Sequence, residues 1–96
     1  MEVMDTGVAG TMESSDIMIR VQKNDQEGIK IELTSSVEKQ FGEHIRKVIT
    51  QCLEQKQIKQ AHVIGIDKGA LDCVIKARTS TAIDRACSNT DYQWEA

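Results

Sequence analysis

The sequence predicts an α+β two-layer sandwich, a small, mainly antiparallel sheet with two helices on one face, in the order β-β-β-α-β-α. Three observations predict it. Apolar and polar residues alternate from Ile17 and again from Ile29, a helical apolar stripe runs from Val37 to Leu53, and a strand-like run at Ala61–Ile66 precedes a second helical pattern. A chain of 96 residues holds one modest core and not two. We therefore expect a single domain over residues 1–96, with residues 1–7 as a flexible arm and 88–96 as a tail.

Residues 1–10 mix Val and Met with Gly and Thr and read as a loose arm or a short edge strand; a strand over residues 8–13 would extend the sheet edge. The stretch from Gly10 to Asp16 follows. It offers the adjacent hydroxyls of Ser14 and Ser15 between the carboxylates of Glu13 and Asp16, with Gly7 and Gly10 keeping the approach pliant. By residue type alone this is equally a polar turn or a place to attach something to a serine.

Ile17, Ile19 and Val21 then alternate with Met18, Arg20 and Gln22, the period-two mark of a half-buried strand. Turn residues Asn24 to Gly28 lead into a second alternating run, Ile29, Ile31 and Leu33, so the pair reads as a β-hairpin. At Ser35-Ser36-Val37-Glu38 the spacing predicts a capping box that opens a helix, with Ser35 and Glu38 satisfying each other's backbone amides. Val37, Phe41, Ile45, Val48 and Cys52 form its apolar stripe, widened by Ile49 and Leu53. Gly42 weakens the helix interior by about 0.8 to 1 kcal/mol relative to alanine, which implies a packing demand there.

Ala61 to Ile66 is apolar on both alternating faces, as expected of a central or doubly covered strand, and Asp67-Lys68-Gly69 supplies the next turn. From Ala70 to Ala86 the spacing of Leu71, Val74, Ile75 and Ala82 favours one helix, with a strand over Leu71–Ala77 as the competing reading. The tail ends in Tyr92 and Trp94, and Trp94 reads as a cap on a hydrophobic edge or a partner contact.

Composition narrows the function classes. Fifteen acidic against twelve basic side chains, a formal charge of −3, argue against a phosphate backbone as the main partner, and aromatics at 3% leave no stacking platform for bases. No apolar run reaches membrane-span length and no signal-peptide pattern opens the chain, so a cytoplasmic protein is expected. Cys52, Cys73 and Cys87 are odd in number and scattered, as small core residues or free thiols are. His62 has no partner nearby in sequence, and Ser80 has no base at helical spacing. Phosphate-loop and metal-ligand spacings are missing, and nothing near Glu13 and Asp16 is apolar enough to force their pKa values apart. The chain reads as non-catalytic, with no metal.

Three stretches carry a resemblance. Gly10-Thr11-Met12-Glu13-Ser14-Ser15-Asp16-Ile17-Met18-Ile19, Ser35-Ser36-Val37-Glu38-Lys39-Gln40-Phe41-Gly42, and Asp67-Lys68-Gly69-Ala70-Leu71-Asp72-Cys73 followed by Ala77-Arg78 closely resemble the citrate lyase acyl carrier protein family, the gamma chains of citrate lyase. The resemblance runs from about Val8 to Arg85 and departs at Met12, where Leu is frequent. It implies a covalent phosphoribosyl dephospho-coenzyme A group, joined by a phosphodiester to the serine that falls on Ser14. In relatives the next position can be glycine, which makes Ser15 the weaker candidate.

The resemblance further implies that the group's thiol carries acetyl, exchanged for citryl by a transferase (alpha) subunit. A lyase (beta) subunit then cleaves the citryl thioester to oxaloacetate, and a holo-carrier synthase attaches the group. The chain would be a carrier and its partners the catalysts, as where cofactors hold the hard chemistry and protein supplies orientation. The alternatives are a malonate decarboxylase-type carrier or an unmodified structural subunit. Glu13 and Asp16 would repel the group's phosphates and keep the arm extended. Arg46, Lys47 and Arg78 read as a solvated face or a partner contact.

Overall fold

A computed structural model describes residues 2–87. The elements run β1 (Gly7–Ala9), β2 (Ile17–Gln22), β3 (Gly28–Ser35), α1 (Glu38–Gln55), β4 (Gln60–Asp67) and α2 (Asp72–Cys87). The predicted α+β order holds, and residues 72–87 form one helix and no strand. Tyr92 and Trp94 lie outside the described residues.

The sheet order is β1-β2-β4-β3. β1 and β4 both pair antiparallel to β2, whereas β3 runs parallel to β4 over its full length, Gly28↔Gln60 through Ser35↔Asp67. The expected hairpin between β2 and β3 does not form. Helix α1 carries the chain back so that β4 enters between them, which makes β3-α1-β4 a crossover unit. The reason lies in β4 itself: Ala61, Val63 and Gly65 are buried on one face while Ile64 and Ile66 are half-buried on the other, so this strand gains most from a central position. The first strand is shorter than expected, ending at Ala9, because Gly10 turns the chain with φ of 93°.

One face of the sheet carries the core. Ile17, Ile19 and Val21 of β2 meet Ile49 and Leu53 of α1 and Ile75 and Ile83 of α2 in a single buried cluster. Each such fully buried aliphatic side chain stabilises the fold by about 1.5 to 3 kcal/mol. Phe41, expected in the α1 stripe, stays half exposed. β1 lies so close to α2 that a methyl at Gly7 would overlap the Ala82 carbonyl oxygen. The amides of Met4 and Asp5 both donate to the Ala86 carbonyl at 3.0 Å, satisfying the end of α2. At Gly42 the close neighbours belong to the helix's own Glu38–Arg46 pair, which arches over it, rather than to the core.

The capping box is absent. Val37 is the N-cap and makes no side-chain cap bond. Ser35 instead donates its hydroxyl to Asp67 Oδ2 at 2.8 Å and accepts from the Val37 amide at 3.1 Å, and Glu38 turns to Arg46 at 2.9 Å. A buried carboxylate that needs donors outcompetes an exposed cap.

Candidate functional site

The turn between β1 and β2 is built around Asp16. Its carboxylate accepts from the Thr11 hydroxyl at 2.7 Å, the Thr11 amide at 3.1 Å and the Ile17 amide at 2.7 Å. Arg78 of α2 adds a bidentate pair, Nε to Oδ1 and Nη2 to Oδ2, each 3.1 Å. The Glu13 amide donates back to the Thr11 hydroxyl at 3.2 Å, so one carboxylate fixes both limbs of the turn. The Thr11 hydroxyl, then the Arg78 guanidinium and the Ile17 amide, hold the Asp16 carboxyl well below the usual carboxylate range. Asp16 is therefore engaged as an anchor. It is not the free flanking charge the sequence suggests; Glu13, the other member of that pair, is exposed and has no cation partner among the described residues.

The backbone reinforces this. Ser15 donates its amide to the Lys68 carbonyl at 2.8 Å, and Lys68 donates to the Asp16 carbonyl at 2.9 Å, extending the β2–β4 ladder by a step. A methyl at Gly10 would overlap the Ile17 carbonyl oxygen, so the two ends of the turn touch. At its tip Ser14 is exposed, and its hydroxyl takes no part in the network around Asp16. Ser15 has φ of 65°, a left-handed conformation that glycine adopts freely and that costs another residue about 1 kcal/mol. The two hydroxyls that look equivalent in sequence thus sit on different backbones.

The adjoining turn after β4 is organised by a second aspartate. Asp67 is 1% exposed and accepts from the Ser35 hydroxyl, the Gly69 amide at 3.1 Å and the Ala70 amide at 3.0 Å. It carries the Asp67–Ala70 turn beside the serine turn, with Lys68 exposed between them. Beyond lies a shallow groove of about 350 Å3 lined by Val37, Phe41, Ile45, Ala70, Leu71 and Ile75, its rim crossed by the His44–Asp72 pair at 2.8 Å.

Asp67 and Arg78 were not marked by periodicity as site residues, since their partners lie 32 and 62 positions away. Their one sequence signal is that both fall in the stretches carrying the family resemblance. Arg46 pairs with Glu38, and Arg78 with Asp16, so neither is an uncommitted surface cation. His62, hydrogen-bonded to Gln22 at 3.2 Å and paired with Glu32, sits on the open sheet face away from the serine turn. Cys52 is buried, Cys87 half-buried and Cys73 exposed, all as free thiols; burial pushes the Cys52 and Cys87 thiols up, away from the reactive thiolate. No group of three or more His, Cys, Asp or Glu side chains among the described residues could hold a metal ion. No helix among them is long and apolar enough to cross a membrane.

Residues 4–86 match the family model described as "ACP: Malonate decarboxylase delta subunit (MdcD)". A protein of Streptococcus mutans named citrate lyase acyl carrier protein is 54% identical over 99% of this chain and 93% of its own length. One of the same name from Streptococcus pyogenes serotype M5 is 52% identical over the same shares. Among solved structures, a chain of a Pseudomonas malonate decarboxylase hetero-tetramer in complex with malonate shares the fold, with a TM-score of 0.72 over 85% of this chain and 84% of its own, at 16% identity. The fold and the family match thus place the chain among the acyl carrier proteins of this small α+β type. Within that class the chain belongs to the citrate lyase acyl carrier protein family.

Proposed function

We propose that the chain carries phosphoribosyl dephospho-coenzyme A on Ser14 through a phosphodiester and presents it to the transferase (alpha) and lyase (beta) subunits of citrate lyase. The supporting observation is the serine turn itself: Ser14 stands exposed at the tip of a loop whose two limbs are tied by Asp16. A large group can be added there without displacing a core contact. When bound, the group supplies a thiol that holds acetyl or citryl as a thioester. The chain's own residues do the positioning: Thr11, Asp16 and Arg78 hold the turn's shape, the Ser15–Lys68 backbone pair fixes its direction, and exposed Lys68 offsets the charge of nearby phosphates. Neither active site belongs to this chain in the reading, which makes it a non-catalytic carrier.

Intact mass tests the attachment. Co-expressed with the modifying enzymes, the wild-type chain should gain the mass of the prosthetic group, Ser14→Ala should gain none, and Ser15→Gly should gain it in full. Equal loading of Ser14→Ala, or none on the wild type, overturns the proposal. A malonate decarboxylase-type role is the second reading, favoured by the family description and the shared fold. Identity of 54% to a named citrate lyase carrier weighs against it. Reconstitution decides between them: the loaded chain should restore citrate cleavage to carrier-depleted citrate lyase and fail to restore malonate decarboxylation.

A further inference from the structure

The serine turn and the apolar groove adjoin each other, and the proposed function uses only the first. Phe41 is 50% exposed and Leu71 70%, the latter standing between the buried turn at Asp67 and the first turn of α2. Two large exposed apolar side chains lining one groove, in a chain with three aromatic residues in all, call for an occupant. We propose that the groove is a resting site for the distal, thioester-bearing end of the arm attached to Ser14; the inference rests on the attachment proposed above.

Three features select that occupant. The first is position: Ser14 is one residue from Ser15, Ser15 is hydrogen-bonded to Lys68, and Gly69 is already groove wall. Those links separate the Ser14 and Gly69 Cα atoms by no more than about 14 Å. The second is the order of chemistry along the path. Exposed Lys68 comes first and the apolar lining after it, the same order in which such an arm presents its phosphates near the serine and its uncharged amide chain and thioester beyond. The third is size. A volume of about 350 Å3 lies at the lower end of small-molecule sites and has room for a narrow chain such as the arm's distal end.

Tethering makes weak binding sufficient. A short flexible link gives an effective concentration in the millimolar range, so a groove with millimolar affinity is filled about half the time. The thioester is then partly sheltered between encounters yet released within its normal motion to reach a partner.

The test compares uniformly labelled apo and holo protein, with intact mass first establishing complete modification. Methyl resonances of Leu71, Ile45 and Ile75 should shift in the holo form, independently of protein concentration, and the Ile75 shift should vanish in holo Leu71→Ser, a change at an exposed position. Hydroxylamine should cleave the acetyl thioester about twofold faster in Leu71→Ser than in the wild type. Shifts confined to Thr11–Asp16 and Lys68 in fully loaded protein, or equal cleavage rates, overturn the inference while leaving the attachment intact. Groove shifts that grow with protein concentration, or arise only on adding partner subunits, overturn it in favour of a second copy or a protein docking face. Absence of added mass overturns the attachment and this inference together.

Discussion

Two turns meet at one end of the sheet, each built on an aspartate, and they are stabilised in different ways. Asp67 is sealed from solvent and satisfied by neutral donors alone, a hydroxyl and two amides. Asp16 keeps 13% of its side chain exposed and draws on a cation, Arg78, which is itself 42% exposed. The Asp67 turn is thus part of the core's hydrogen-bond inventory, whereas the Asp16 turn is an electrostatic clasp at the surface. The contrast suits a site that has to keep its shape while facing water: a buried cage fixes the platform, and a charged clasp fixes the loop that stands on it.

The sharpest way to break the contrast is to remove the buried member. Asp67→Ala orphans the Ser35 hydroxyl and the Gly69 and Ala70 amides, and it should cost about 3 kcal/mol. At roughly 4 to 8 °C per kcal/mol for a domain this size, the thermal midpoint should fall by well over 10 °C. Calorimetry reads it, and a loss under a third of that would show that water replaces the cage.

Acid and salt should act on the other turn. Because folding lowers the Asp16 pKa from its ordinary 3.8, the carboxylate's contribution is fully present at neutral pH and is lost as pH falls through and below that value. Denaturation curves of Asp16→Asn should accordingly decline less steeply between pH 4 and pH 2 than those of the wild type. In hydrogen exchange at neutral pH, the amides of Thr11 and Glu13 should lose protection in this variant while those of Gly69 and Ala70 keep theirs. High salt should weaken protection at Thr11 in the wild type, since the Arg78 side of the pair is open to screening. Equal behaviour of the two turns under acid would remove the distinction.

The smallest effect calibrates the others. Thr79, 0% exposed in α2, has the one buried side-chain oxygen without a hydrogen-bond partner among the described residues. Thr79→Val removes that hydroxyl at nearly constant shape and should leave stability within about 1 kcal/mol of the wild type, on the stabilising side. A clear loss in urea unfolding would mean that the hydroxyl bonds within its own helix.

How much of this was legible in the sequence follows from the range of each interaction. The alternation at Ile17–Gln22 and the stripe from Val37 to Leu53 are local patterns, and both became elements of the expected type, although Val37 caps the helix from outside it and Phe41 stays half exposed. The pairing of β2 was not local: a short polar link argued for β3, but β4, apolar on both faces, took the place beside it. Ser35 looked like a cap because its neighbours in sequence allowed one; its actual partner is 32 residues on. For the same reason the family resemblance could single out Ser14 but could not reveal that Arg78, 62 residues from Asp16, closes the turn beneath it. Ser15 is the instructive case between the two. The resemblance allows glycine at this position, and its φ of 65° supplies the backbone reason.

The contact between Gly10 and the Ile17 carbonyl has a consequence for reach. A turn closed at its neck cannot swing like a boom. Under the proposed attachment, Ser14 is a fixed mooring, and the territory swept by the thioester is a dome whose radius is the length of the arm alone. Partner active sites must then be arranged within that dome, and lengthening the tether, by inserting residues between Gly10 and Thr11, would enlarge the dome while blurring its centre.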